Sequence, residues 1–306
     1  MQTALPPLPV QPKRLTLWLA LTSVYILWGS TYLFIHFMTE QMPPLYMSSM
    51  RFLVAGSLLY GYARLTGTPR PTWRQVRSAA MVGLLLLAIA NGCLTIALQH
   101  IPTGMAALLA GLLPVFLLSI NWVWFAKDRP TNLALAGLLL GFVGVYFLIK
   151  PDKLQSSNMA DDNLIGAGLI MIGNLAWALS TLLSPRLSLP SQFMSSGLQM
   201  LAGAFALFTV SLLTEPVTPL SILDAPTKAI GSLWYLVVFG SIIGFSSYAW
   251  LARNAPPTLL STYAYVNPVV AMILGTLFAG EILTNQSLIG ASIVVAGVVL
   301  ITIGRK

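Results

Sequence analysis

Ten stretches of about twenty residues, each nearly free of charge, recur along this chain and leave it few folds to choose from. They run over Leu15–Met38, Leu45–Ala63, Ser78–Leu98, Thr103–Phe125, Asn132–Ile149, Leu164–Ser184, Phe193–Leu213, Ser232–Leu251, Leu259–Ala279 and Gln286–Ile303. A bilayer core about 30 Å thick needs roughly 20 apolar residues to be crossed by a helix. Backbone polar groups in lipid must be satisfied within the segment, so runs of this length read as helices. Only 8% of the 306 residues are charged and 57% are hydrophobic, against about 25% charged in a soluble domain. No globular core absorbs so much apolar surface. The expected fold class is all-α integral membrane, with ten transmembrane helices.

Charge orients them. Twelve of the sixteen Lys and Arg cluster at Lys13-Arg14, Arg64–Arg77, Lys127–Arg129, Arg186, Arg253 and Arg305-Lys306, accompanied by one acid, Asp128. These positions fall on one side of a ten-span chain. The other side carries Lys150, Lys153 and Lys228 with the seven remaining acids, among them Glu40, Asp152, Glu215 and Glu281. Cytoplasmic loops carry the excess of Lys and Arg, so both termini are expected in the cytoplasm. The net charge of +8 then reports topology, and a nucleic-acid partner is not expected. Residues 1–14, with four prolines, read as a disordered cytoplasmic tail. The first apolar run is too long for a signal-peptide core and is expected to stay. A lone Cys93 rules out an internal disulfide framework and a Cys-based metal site, and the two histidines, His36 and His100, lie far apart. No metal or cofactor is expected.

The chain also repeats itself. Ile101–Gly144 returns in looser form at Ala255–Gly297. Pro102 answers Pro256, Pro114 answers Pro268, Asp128 answers Glu281, and Gly137 and Gly144 answer Gly290 and Gly297. Met47-Ser48-Ser49 with Ala55-Gly56 answers Met194-Ser195-Ser196 with Ala202-Gly203, and Trp28 answers Trp177. The unit is five helices, an odd number, so the second copy must enter the membrane from the opposite side. Expected domains are a first repeat over 15–150, an outer linker over 151–163 and a second, inverted repeat over 164–306. Inverted repeats organise many secondary carriers, which bind substrate near the midplane between the halves.

The ordered set of ten spans, the five-plus-five repeat, WGSTY at Trp28–Tyr32, RF at Arg51-Phe52 and the Pro-to-acid spacing in both halves resembles the drug/metabolite transporter superfamily. More narrowly it resembles the EamA-type exporters, including the amino-acid exporters called YddG. The resemblance covers essentially all of the chain beyond residue 14. It implies efflux of amino acids or similar metabolites across a bacterial inner membrane. It also implies a central cavity made by helices one to four and six to nine, with five and ten outside. The sequence departs from a tidy repeat at Leu198, which answers Arg51.

Polar and aromatic groups within the spans are the candidate site, because lipid-facing positions exclude them. Tyr25, Trp28, Tyr32 and His36 share one helical face, as do Asn91, Thr95 and Gln99. The substrate-binding set expected from this is Trp28, Tyr32, Arg51, Asn91, Asn174, Trp177, Tyr248, Ser261, Tyr263 and Tyr265. The competing reading for the aromatics is an interfacial belt, and for Asn174 a bond to a neighbouring helix. Arg51 either snorkels to the interface, pairs with Glu40, bonds Tyr hydroxyls or backbone carbonyls, or holds a substrate carboxylate. Pro114 and Pro268 free a carbonyl one turn earlier and are expected to kink the helices that shape the cavity. The glycines of the fifth and tenth spans read as packing within one chain, and the protein is taken as a monomer.

No H-E-x-x-H, G-x-S-x-G or Cys–His pair supports an intramembrane enzyme, and no catalytic residue is expected. The partners expected are the lipid bilayer and a small-molecule substrate. No carboxylate sits in mid-membrane, which favours a facilitative carrier. A cavity without a Lys and Arg cluster disfavours organic phosphates and favours neutral and aromatic amino acids, broadly selected. Efflux of amphipathic drugs and, from another class, a passive channel or an intramembrane enzyme are the alternatives.

Overall fold

The computed structural model describes residues 14–125, 130–149, 157–218, 221–255, 259 and 262–304. Ser261, Ala126, Pro256 and many of the counted charges (Lys13, Lys127, Asp128, Arg129, Lys150, Asp152, Lys153, Arg305, Lys306) lie outside the described residues. Every regular element among the described residues is helical. In chain order they are α1 (Arg14–Thr39), α2 (Pro44–Leu65), α3 (Trp73–Ala97), α4 (Thr103–Phe125), α5 (Asn132–Ile149), α6 (Ser157–Leu183), α7 (Gln192–Thr214), α8 (Thr227–Tyr248), α9 (Tyr263–Phe278) and α10 (Asn285–Gly304). Seven of these, all but α2, α5 and α9, are long and apolar enough to cross a membrane, and α5 and α9 are shorter apolar helices. α2 matches them in length but carries Ser48, Ser49 and Arg51 within it. α6 begins at Ser157, so the end of the expected linker is already helical.

Local chemistry explains several ends. Pro44 opens α2 at its first turn, where a missing N–H is harmless. Thr72 and Gln75 form a reciprocal capping box at the start of α3. Gly280 follows α9 with φ of 67°, a left-handed conformation that suits glycine. The chain reverses there and sends the next residue, Glu281, back onto α4. Its carboxylate accepts from the N–H groups of Thr103 (2.5 Å) and Gly104 (3.3 Å). Glu215, just past α7, caps α2 likewise, accepting from Leu45 N–H (2.8 Å), Tyr46 N–H (2.9 Å) and the Ser211 hydroxyl (2.6 Å). Each acid thus satisfies the orphan donors that open a helix.

Three helix pairs unite positions that the sequence repeat equates, and each pair is antiparallel. α2 lies along α7: Glu215 meets Leu45 at one end, and Tyr62 meets Phe193 (5.3 Å between ring centroids) at the other. α4 lies along α9, with Gly104 against Met272 and Gly111 against Ala264. α5 lies along α10, with the Thr131 hydroxyl donating to Gly304 carbonyl (2.7 Å) at one end and Gln286 to Phe147 carbonyl (2.8 Å) at the other. The glycines set these distances. A Cβ on Gly137 would stand 2.6 Å from the Gly297 carbonyl oxygen, and one on Gly197 would stand 2.7 Å from the Tyr60 nitrogen. The glycines of α5 and α10 are therefore spent on contact within one chain.

Two departures from regular helix sit at equivalent places. Leu84–Asn91 of α3 and Leu236–Ile243 of α8 are π-helical, a rare geometry that often marks functional sites. In α4, Gly111 and Leu112 form a turn between Thr103–Ala110 and Leu113–Ile120, with Pro114 in the first turn of the second piece. Pro268 lies inside α9. The sequence pattern carries no sign of the π segments, because one extra residue per turn barely alters an all-apolar run.

Candidate functional site

Trp28, at the middle of α1, is the hub of an aromatic layer. Its ring lies 5.0 Å from Tyr248 (stacked), 5.5 Å from Phe245, 5.6 Å from Tyr263 and 6.2 Å from Trp177, the last three edge-on. Such offset and edge arrangements are the favourable ones for aromatic quadrupoles. The indole N–H donates to Gly240 carbonyl at 3.3 Å, from inside the π segment of α8. The ring is 8% exposed, and it fits only because residue 244 is glycine: a Cβ there would stand 2.5 Å from Nε1.

The layer divides two cavities. On one side lies a pocket of about 90 Å³ lined by Trp28, Thr31, Tyr32, Arg51, Asn91, Leu94, Ala110, Leu113, Asn174, Trp177, Phe245, Tyr263 and Asn267. On the other is a wider vestibule of about 320 Å³, lined among others by Trp177, Ser180, Ser184, Gln192, Ser195, Gln199 and Tyr248. It opens at the end of the bundle where α6 turns into α7. At the opposite end the helices are closed. Phe34 stacks on Tyr235 at 3.7 Å, the Tyr235 and Ser30 hydroxyls lie 2.7 Å apart, and Met38 and Tyr46 are fully buried.

Arg51 is the charged group of this pocket. It is 3% exposed, about 10 Å along α2 from Pro44 by helical rise, and its Nε donates to Ser241 Oγ at 2.9 Å. It does not snorkel, and it does not pair with Glu40. That carboxylate holds Lys228 (2.6 Å) and His36 (3.3 Å) instead, because both reach it at the exposed helix ends whereas Arg51 is turned inward to α8. Its Nη1 has no partner, and neither does Asn91 Oδ1. Other polar groups of the wall are engaged. Asn174 Nδ2 donates to Leu109 carbonyl at 2.8 Å, at the break in α4. The Thr31 hydroxyl donates to Trp28 carbonyl at 2.6 Å. The Asn267 amide is satisfied with its nitrogen donating to the carbonyls of Tyr25 (3.2 Å) and Tyr263 (3.3 Å).

Seven of the ten residues chosen from sequence thus line the inner pocket: Trp28, Tyr32, Arg51, Asn91, Asn174, Trp177 and Tyr263. Tyr248 lines the vestibule. Tyr265 is turned away, its hydroxyl bonded to Thr302 of α10, since it lies two residues from Tyr263 and so on another face of the helix. The polar face of α3 splits as well: Thr95 is fully buried against Ser48 of α2 (3.1 Å), and Gln99 is exposed beyond the helix end. Phe245 was not foreseen, although it falls four residues after Ser241 and three before Tyr248 on one face. Thr31, three residues beyond Trp28, carried the same signal. Among the described residues, no acid lines either cavity, and neither α5 nor α10 contributes to them.

An all-helical bundle around an internal polar and aromatic pocket is an architecture that suits a membrane transporter. Comparison with known families gives the class: residues 14–150 and 164–303 match the EamA-like transporter family, and the chain belongs to that family. It is a multi-pass membrane protein. Among its relatives is the uncharacterized inner membrane transporter YedA of Escherichia coli K12, 39% identical over 295 residues that span 96% of this chain and 92% of YedA. An uncharacterized transporter of Archaeoglobus fulgidus is 23% identical over 93% of this chain and 98% of its own length. A chloroplastic WAT1-related protein of Arabidopsis thaliana is 26% identical over 93% of this chain and 69% of its own. A solved crystal structure with 17% sequence identity superposes with a TM-score of 0.66 over 94% of this chain and 98% of that one, a likeness of fold.

Proposed function

We propose that this protein is a secondary carrier of the inner membrane that exports amino acids, neutral and aromatic ones favoured, and similar small metabolites. Ten helices cross the membrane as two inverted five-helix repeats, with both termini in the cytoplasm. The observation that carries the reading is the pocket: aromatic walls, neutral amides and, among the described residues, one cation, Arg51. Aromatic surfaces accept varied side chains, while the few polar groups orient a small polar head. The antiparallel packing of α2, α4 and α5 on their own repeat equivalents supports inversion, since an inverted copy meets its equivalent head to tail. The match of one family to two successive stretches supports the repeat itself. The vestibule opens beside Arg186, at the cation-rich end, so the conformation corresponds to an inward-open carrier with its outer end closed.

Transport is facilitative in this reading. The acids nearest the bundle, Glu215 and Glu281, are committed to helix caps, and buried Asp, Glu or His relays are the usual means of proton coupling. The test is counterflow in proteoliposomes holding the full chain, with a panel of labelled neutral amino acids and organic phosphates. Saturable exchange of neutral amino acids is expected without an imposed proton gradient. Movement of organic phosphates with no amino-acid counterflow refutes the substrate reading, and accumulation only under a proton gradient refutes the facilitative one.

A further inference from the structure

Three buried side-chain atoms among the described residues lack a hydrogen-bond partner: Arg51 Nη1, Asn91 Oδ1 and Thr103 Oγ1. The third lies beside the Glu281 cap. The first two belong to residues that line one pocket, and their chemistry is complementary. One is a cationic donor and the other a neutral acceptor. Nearly all buried polar atoms in native proteins find partners, so an orphan asks for an explanation, and two orphans on residues that line one cavity point to a ligand that serves both.

We propose that Arg51 and Asn91 together recognise an α-amino acid at both of its charged groups, Nη1 taking the carboxylate and Asn91 Oδ1 taking the ammonium. This rests on the carrier reading above and states which substrates that pocket refuses. The geometry holds the two groups in place. Ser241, in the π segment of α8, anchors Arg51 through Nε, and the guanidinium lies over the Phe52 ring at 4.9 Å. That leaves its far edge for a carboxylate, which matches guanidinium geometry well. Asn91 closes the π segment of α3, the equivalent place in the other half. None of the ion pairs among the described residues involves Arg51, so a carboxylate entering the pocket supplies the counter-charge. The remaining amides and the indole spend donors on backbone carbonyls, which leaves side-chain selection to the aromatic layer.

The two points differ in weight. A ligand without the carboxylate leaves a cation buried and unpaired, which is heavily unfavourable. A ligand without the ammonium leaves one neutral acceptor unpaired, a smaller penalty. In counterflow of labelled phenylalanine, phenylpyruvate is therefore expected to compete about 10–100-fold more weakly than phenylalanine. Phenethylamine and phenylalanine methyl ester are expected to compete at least about 100-fold more weakly. The variants separate recognition from structure. In Arg51→Gln the preference for phenylalanine over its methyl ester collapses toward unity, while in Asn91→Leu the preference over phenylpyruvate collapses and that over the ester persists. Arg51→Lys, which keeps the charge, restores part of the ester discrimination.

If the variants fail to fold, the wild-type ranking alone decides. Phenylalanine counterflow with phenethylamine or the ester competing equally overturns the two-point recognition and leaves the carrier standing. Counterflow by none of the neutral amino acids overturns both.

Discussion

Glu215 offers the most direct test of how the bundle is fastened. Its carboxylate accepts from two N–H groups at the start of α2 and from Ser211 on α7, tying together two helices whose equivalence came from the repeat. Replacement by Gln keeps the volume and one acceptor oxygen but turns an NH₂ toward the second donor. One bond to an ionised acceptor is lost, at about 1.5 kcal/mol for a partly exposed group. The anion is also lost from a helix N-terminus, which adds about 0.5 kcal/mol. The sum is about 2 kcal/mol. For a domain of 150–250 residues each kcal/mol moves the midpoint by roughly 2–4 °C, so about 4 °C is expected in this larger chain. The assay is thermal unfolding of the detergent-solubilised protein, monitored by size exclusion. Glu40→Gln is the control, because an exposed pair such as Glu40–Lys228 is worth only about 0.2–1 kcal/mol. An unchanged midpoint for Glu215→Gln, or an equal loss for Glu40→Gln, refutes the argument that this acid caps α2 in the folded protein.

Other outcomes follow from the same packing. Gly297→Leu places a side chain 2.8 Å from the Gly137 carbonyl oxygen and is expected to destabilise the protein by about 1–3 kcal/mol in the same assay. Gly168→Ala, in open space on α6, is expected to raise stability by up to about 1 kcal/mol. Gly244→Val pushes into the Trp28 indole and is expected to lower the counterflow rate at least roughly tenfold by disordering the aromatic layer; an unchanged rate argues against that layer's part in transport. Cysteines introduced at Thr68 and Ser221 are expected to react with an impermeant thiol reagent from the cytoplasmic and outer sides respectively, and the reverse pattern refutes the charge-based orientation.

Much of the pocket was legible before the fold was known, because polar and aromatic residues in apolar runs have few places to go. Trp28, Tyr32, Asn91, Asn174 and Trp177 stand out on that ground alone. Which of them is free to meet a ligand was not legible. Asn174 and Asn91 look alike in sequence, yet one donates to a carbonyl at the break in α4 and the other has an orphan oxygen. Tyr263 and Tyr265 are two residues apart, and only the first faces the pocket. Phe245 was hidden because a single Phe in an apolar helix is ordinary, and becomes informative only once Ser241 and Tyr248 are known to share its face. In sequence the acids Glu215 and Glu281 look like surface charge, because their partners are 170 and 178 residues away.

The sequence by itself determined the class of solvent and the helical character of the apolar runs. These depend on composition and period, which are local, and on a bilayer of fixed thickness. Only the tertiary structure decided what Arg51 does. A lone cation near a helix end is compatible with snorkelling, with a surface pair or with a buried site, and those states differ by which neighbour the helix turns toward. Packing of α2 against α7 and α8 turned it inward onto Ser241, left Nη1 of the guanidinium without a partner, and set it in the same pocket as Asn91.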